Sequence, residues 1–347
     1  MSSNEFITYI EENIDLINEA LELNLMLYKS NMLENANKIL DYFNVFLECS
    51  EGGKRIRPVL TMLGYEMFGG KRPEKVFDVA IAFEIFQTGI LMHDDIIDKS
   101  EYRRNKKSGY MKMGGDHFAI SQAICLGDLG FPLANKAIID SDFEENIKVR
   151  ALKALNDTFY NTITGEIIDI DLSKFSTKNE QDIIDMYTLK TAYYTIIGPM
   201  QVGAILAGAT EEQLSQIEEF GKLVGVMFQI QDDKLGIFGD EKNIGKSNTS
   251  DIKEGKNTVL SLYTFNNSNK EQKEILKKIY GKNEEISSEE LNIIRKIFEE
   301  TGSKKYAEDL INKNFIKSQE MLNKFKIVQK KKEIVEDMLK YLINRDK

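Results

Sequence analysis

Apolar residues recur along most of the chain at intervals of three and four, the spacing that lays one hydrophobic face along a helix. Phe6, Ile10, Ile14, Ile17 and Leu21 trace such a face, and a second helix is expected over 31–47. Both belong to an N-terminal region, residues 1–49, that reads as packing or dimer surface. Pro73 is placed to open a helix whose run from Val79 to Met92 is mostly apolar, broken by Glu84 and Gln87. Further helices are expected from His117 through Cys125, over 151–172, around Tyr187–Ala192, and through Leu223, Val224, Val226 and Met227. From Ser268 onward the chain is rich in Lys and Glu with amphipathic periods and no chemical motif. Short Gly, Asn or Ser breaks, 4 Pro and no Trp complete the pattern of an all-α protein. At 347 residues the length allows one large domain or two.

Two of these helices end in acid. The first runs into His93-Asp94-Asp95-Ile96-Ile97-Asp98, where Asp94 and Asp98 lie one turn apart and Asp95 three residues from Asp98. Carboxylates at a helix C-terminus meet its partial negative charge and need a cation. Oxygen-only donors suit a hard divalent ion, and sparse carboxylate sites for Mg²⁺ share the ion with substrate phosphates. A solvated surface also carries acidic runs, so one cluster decides little. The second, Asp232-Asp233 behind an apolar helix with Gln229 one turn earlier, repeats the design. Two such pairs can hold metals on both sides of one diphosphate.

Cations stand where that reading needs them. Gly52-Gly53-Lys54-Arg55-Ile56-Arg57-Pro58 joins a tight turn, three cations and a helix start, a ready anion site. The basic loop Lys99–Lys107, with Arg103 and Arg104, can fold back over the first acidic cluster. Lys190-Thr191 places a cation and a hydroxyl in an apolar helix, where a Lys often only reaches for the surface. Gly239–Ser247 resembles a P-loop, but five residues separate its glycines where four are required, so a nucleotide site is rejected. Lys246 and Lys256 remain available for a phosphate.

Composition narrows the field. A net charge of −10 argues against a general nucleic-acid binder. Cys49 and Cys125 lack paired spacing, which fits buried thiols in a reducing compartment. Asn4, Glu5, Glu11 and Glu12 interrupt any secretory signal, and Val76–Met92 is too short and too charged for a membrane span. A soluble cytoplasmic protein is expected.

The ordered set of Gly-Gly-Lys-Arg-x-Arg-Pro, the first Asp-rich motif, Arg-Arg, Lys-Thr and Phe-Gln-x-x-Asp-Asp resembles the trans-isoprenyl diphosphate synthases, the polyprenyl synthetase family. The likeness spans roughly Gly52 to Lys256. It implies a single all-α domain over 1–347, with helices around a deep central cavity, and a homodimer. It also implies head-to-tail condensation of isopentenyl diphosphate with an allylic diphosphate. By this resemblance Asp94, Asp95, Asp98, Asp232 and Asp233 hold three Mg²⁺. Arg103, Lys190, Lys246 and Lys256 bind the allylic diphosphate, while Lys54, Arg57, Gln87 and Arg104 bind isopentenyl diphosphate, with Arg55 close by. Thr191 and Gln229 face the allylic carbocation. Three departures stand out. Gly236 fills the last place of a second motif that often reads Asp-Asp-x-x-Asp, and Gln87 replaces a common His. The first motif also lacks an insertion, which with Gly127–Phe131 looks archaeal.

Chain length turns, in such enzymes, on the residues before the first Asp. Here these are Gly89 and Ile90, and Gly89 is expected to leave space. Phe86 then forms a floor about 12 Å above Asp94, at 1.5 Å per residue. That depth predicts a C20 product, geranylgeranyl diphosphate, with some C15 farnesyl diphosphate and room for C25. A non-catalytic partner subunit would be expected to lose Asp or cationic positions. A terpene cyclase would not need the Gly-Gly-Lys-Arg site. A structural cation-binding protein would not need Lys190 or Lys246.

Overall fold

A computed structural model describes residues 4–32, 37–174, 179–239, 249–282 and 284–344. Among these residues the chain is helical apart from turns and one pair of two-residue strands. Local chemistry starts many of the helices. The Asn4 side chain accepts from the backbone N–H groups of Phe6 and Ile7, and Asp116 does the same for Ala119. Reciprocal capping boxes open helices Glu180–Tyr187, Val259–Asn267, Lys270–Ile279 and Ser288–Glu300.

Contacts gather the chain into two compact units. The first comprises Met1–Thr158, Ile197–Glu218 and Lys326–Asp337; the second comprises Phe159–Ile196, Glu219–Phe325 and Met338–Lys347. The first unit is built on helix Ala82–Ile97. Pro73 does open this segment, but in steps: a 3₁₀ turn Pro73–Lys75, a short helix Phe77–Ala80, then the main helix. Val79 to Phe86 are buried without a break. The stretch Pro73–Ile97 is long and apolar enough to cross a membrane, yet 67% of the 18-residue apolar window within it is buried, so it is core.

Helix His117–Ile139 packs along helix Ala82–Ile97 at close range. A Cβ on Gly89 would lie 2.6 Å from the Gly127 carbonyl oxygen and 3.1 Å from the Gly130 Cα. This corrects the expectation for Gly89: its missing side chain lets two backbones approach, and Gly127 takes the room. Cys125 lies two residues from Gly127, about 200° round the helix, and is exposed rather than buried. Cys49 is half-buried, and both thiols are free.

In the second unit Thr188–Ile197 is a π-helix, one residue wider per turn than its neighbours. Two glycines seat it. A Cβ on Gly165 would strike the Lys190 backbone, and one on Gly225 would strike Ala192. The residues on either side of Lys190 and Thr191 are thereby held without slack.

Candidate active site

The first acidic cluster forms as expected. Asp94 and Asp95 occupy the last turn of helix Ala82–Ile97 and Asp98 caps it. Lys99 leaves the helix in the left-handed region (φ 54°), and the chain returns as a small hairpin. Tyr102 pairs with Lys107 and Arg103 with Lys106 across a turn at Arg104 and Asn105, both with positive φ. The hairpin brings the Arg103 guanidinium across both carboxylates: Nη2 donates to Asp94 Oδ2 at 2.6 Å, and Nε donates to Asp95 Oδ1 at 2.7 Å. Burial pushes the Asp95 carboxyl up to about 6 and Asp94 and Asp98 add to the rise, against the pull of Arg103. Burial disfavours the charge on Arg103 itself, but the two aspartates outweigh that and raise it.

The Gly-Gly-Lys-Arg segment lies in the same unit. Arg55 stands at the start of helix Ile56–Met67 in the left-handed region (φ 52°). Its guanidinium is buried and donates to Asn18 Oδ1 at 2.7 Å, Glu84 Oε2 at 2.6 Å and the Ser50 carbonyl at 2.9 Å. Burial sets it apart from Lys54, which is exposed, and Arg57 and Gln87, which are half-buried. Arg104 donates to the Glu51 carbonyl at 3.0 Å, and its guanidinium lies against Gly53, where a Cβ would meet it at 3.1 Å. Burial holds Arg104 below its usual value, partly countered by Glu84 and deepened by Arg55, Arg103 and Arg57. Like charges collected in this way are stabilised by an anion.

The second unit carries the remaining groups. Asp232 and Asp233 do not end their helix, which runs Glu211–Phe238 and continues beyond them. Asp232 is half-buried and Asp233 is buried. Both oxygens of Asp233 are engaged: the Tyr187 hydroxyl donates to Oδ2, and Gln229 Nε2 donates to Oδ1 at 2.8 Å. Burial pushes the Asp233 carboxyl up to about 7, with Tyr187 and Gln229 pulling it down and Asp251 and Asp232 adding to the rise. Gln229 Oε1 in turn accepts from the Thr191 hydroxyl at 2.7 Å. The structure thus joins Thr191, Gln229 and Asp233 in one chain of hydrogen bonds.

Three carboxylates escaped the sequence reading. Lys190 Nζ lies 2.7 Å from Glu166 Oε2 and 2.6 Å from Asp169 Oδ2. Their spacing of three residues on one helix was the available signal. Asp251 is the third: a Cβ on Gly236 would run into its Oδ2, so the glycine keeps room for a carboxylate from another helix. Lys256 lies 3.3 Å from Glu254 Oε2, and Lys246 falls outside the described residues.

Mg²⁺ suits these donors. All are carboxylate oxygens, and Arg103 already bridges Asp94 and Asp95 as one shared cation. Among the described residues no three His, Cys, Asp or Glu side chains form a ready-made cage for an ion. Phosphate oxygens from a ligand would complete the coordination. Phe86, the expected floor, is fully buried with its ring edge-on to Phe131 at 5.5 Å; Ile90, nearer the acids, is half-buried.

The profile of the polyprenyl synthetase family matches residues 38–299. A geranylgeranyl diphosphate synthase of Sulfolobus acidocaldarius is 33% identical over 301 residues, 84% of this chain and 86% of that protein. A geranylfarnesyl diphosphate synthase of Aeropyrum pernix is 31% identical over 301 residues, 85% and 91% of the two chains. Among solved structures, a geranylgeranyl pyrophosphate synthase from Corynebacterium glutamicum, complexed with isoprenyl diphosphate and magnesium, matches with a TM-score of 0.89. It is 25% identical over 99% of this chain and 100% of that one.

Proposed function

We propose that this chain, which belongs to the polyprenyl synthetase family with the isoprenoid synthase fold and is a short- or medium-chain trans-prenyl diphosphate synthase, condenses isopentenyl diphosphate with allylic diphosphates, chiefly to geranylgeranyl diphosphate (C20), with some C15 released. The observation that carries this is the hairpin at Arg103 and Arg104. It sets one guanidinium on Asp94 and Asp95 and the next against Glu51 and Gly53, at the turn leading into Lys54 and Arg57. That arrangement supports two adjoining diphosphate sites.

In this reading Asp94, Asp95, Asp98 and Asp232 would hold Mg²⁺ together with diphosphate oxygens, three ions in all. Bound Mg²⁺ neutralises the pyrophosphate that departs on ionisation. Arg103, Lys190, Lys246 and Lys256 bind the allylic diphosphate and share its leaving charge. Lys54, Arg57, Gln87 and Arg104 hold isopentenyl diphosphate. Thr191 and Gln229 turn oxygen toward the allylic cation. The incoming double bond attacks, so no protein nucleophile is required, and the departing pyrophosphate accepts the proton. Residues 1–347 act as one catalytic domain, and a homodimer completes the proposal. Leu16, Leu23 and Leu27, exposed along helix Glu5–Ser30, support its N-terminal region as contact surface.

Incorporation of radiolabelled isopentenyl diphosphate with each allylic primer in turn, in Mg²⁺, tests the reaction. Failure with every primer would overturn it. Chromatography of the products tests the length. Phe86→Ala is expected to shift products beyond C20; an unchanged distribution would remove Phe86 as the floor.

A further inference from the structure

The second acidic pair looks in sequence like two equivalent ligands. On a helix, consecutive residues point about 100° apart, and here that angle separates two environments. Asp233 turns toward the π-helix that carries Thr191, four residues after Gln229 and therefore on the same face. The bonds around it have a fixed direction. The Val259 backbone N–H donates to the Tyr187 oxygen at 3.1 Å, so the Tyr187 hydrogen is left for Asp233. A carboxylate accepts only, hence the Gln229 amide must present Nε2 to Asp233 and Oε1 to Thr191. Thr191 then spends its single proton on Gln229. What the Thr191–Gln229 pair offers to anything else is oxygen lone pairs.

We propose that Asp233 is a positioning residue for Gln229. Its carboxylate locks the Gln229 amide, and so sets the sign of the charge that Thr191 and Gln229 present to the allylic cation. Reversing the amide would make Gln229 Nε2 donate to Thr191 and free the Thr191 hydrogen to point outward. A donor would then face a developing positive charge. This rests on the condensation reaction proposed above, and its test is separable from that reading.

Asp233→Asn is the inverting change. The Val259 N–H already occupies the Tyr187 oxygen, so Tyr187 offers its hydrogen, the Asn oxygen faces it and the Asn NH₂ faces Gln229. The Gln229 oxygen must then turn to Asn, and its NH₂ to Thr191. Turnover is expected to fall about 10²- to 10³-fold, the range found when one preorganised polar group is lost, with KM for both diphosphates within about threefold. Adding Gln229→Glu restores an acceptor on both sides, so the double variant is expected to recover at least about tenfold of the loss. Tyr187→Phe leaves the amide direction unchanged and is expected to keep turnover within about fivefold. Calorimetry with Mg²⁺ and inorganic pyrophosphate gives the readout independent of turnover. Asp233→Asn is expected to bind as the unmodified enzyme does, while Asp232→Asn loses binding. Loss of Mg²⁺-pyrophosphate binding in Asp233→Asn, or no recovery in the double variant, would overturn the proposal. Circular dichroism and melting curves exclude misfolding as the cause. Absence of condensation by the unmodified enzyme would count against the reaction instead, and the calorimetry would still report on Asp233.

Discussion

The two acidic stretches are near-copies in sequence and unlike in structure. At Asp94–Asp98 the carboxylates cluster in the last turn and cap of a helix, and a cation, Arg103, spans two of them. At Asp232–Asp233 the helix runs on, and the buried carboxylate is held by neutral donors, Tyr187 and Gln229. Charge answers charge in the first case, and hydrogen-bond direction does so in the second. An exchangeable cation suits the metal and diphosphate binding proposed there. A web of neutral donors suits a place that must keep one geometry through turnover.

The hardest test of this contrast compares single Asn substitutions. Asp94→Asn and Asp232→Asn are each expected to lower turnover by about 10³-fold or more, since the proposed function gives each of them a charge that holds Mg²⁺. Steady-state rates in saturating Mg²⁺ check this. A mild effect at either position would break the symmetry of role assigned to those two residues.

A smaller effect separates the glycines of the two regions. Gly89 meets backbone, the Gly127 carbonyl at 2.6 Å, whereas Gly236 meets the end of the Asp251 side chain. Backbone in a packed pair of helices cannot give way. Gly89→Ala is therefore expected to cost about 1–3 kcal/mol of stability. Gly236→Ala, where a side chain can swing aside, should cost less. Urea melts of both variants measure the difference, and equal costs would show that Asp251 is as fixed as the Gly127 backbone.

The smallest expected effect is a pH dependence in metal-free enzyme. Asp95 and Asp233 bind protons more tightly when folded, rising from 3.8 to about 6 and about 7. Their contribution to stability is therefore full below the unfolded value and is lost as pH rises through the folded ones. In EDTA the melting temperature should fall from about pH 4 to about pH 7. Asp95→Asn should lessen the fall below about pH 6 only, whereas Asp233→Asn should also remove the part that continues to about pH 7. Identical curves for both would erase the distinction between the two ends.

Much of the architecture was legible because it rests on short-range rules. The 3.6-residue period marked the helices, and the capping residues Asn4 and Asp116 start them. Lys99–Lys107 read as a basic loop that folds back, and the hairpin at Arg103 does so. The reading failed where a residue's meaning lies on another helix. Gly89 looked like space and is a backbone contact; Gly236 looked like a lost ligand and shelters Asp251. Arg55 sits between Lys54 and Ile56 in sequence yet spends its charge inside the protein, on Glu84 and Asn18. Asp233 depends on Tyr187, 46 residues away, and on a π-helix that no period announced.

By itself, then, the order of residues determined the helical class, the two acidic stretches, the cations beside them and the family to which the chain belongs. These are properties of spacing along one helix or one loop, and spacing is written in the chain. Only tertiary structure decided which of two neighbouring aspartates turns inward, which arginine stays among other cations, and which glycine is filled by a neighbour. Those outcomes depend on the approach of segments far apart in sequence, where burial and hydrogen-bond direction, not residue type, assign the role.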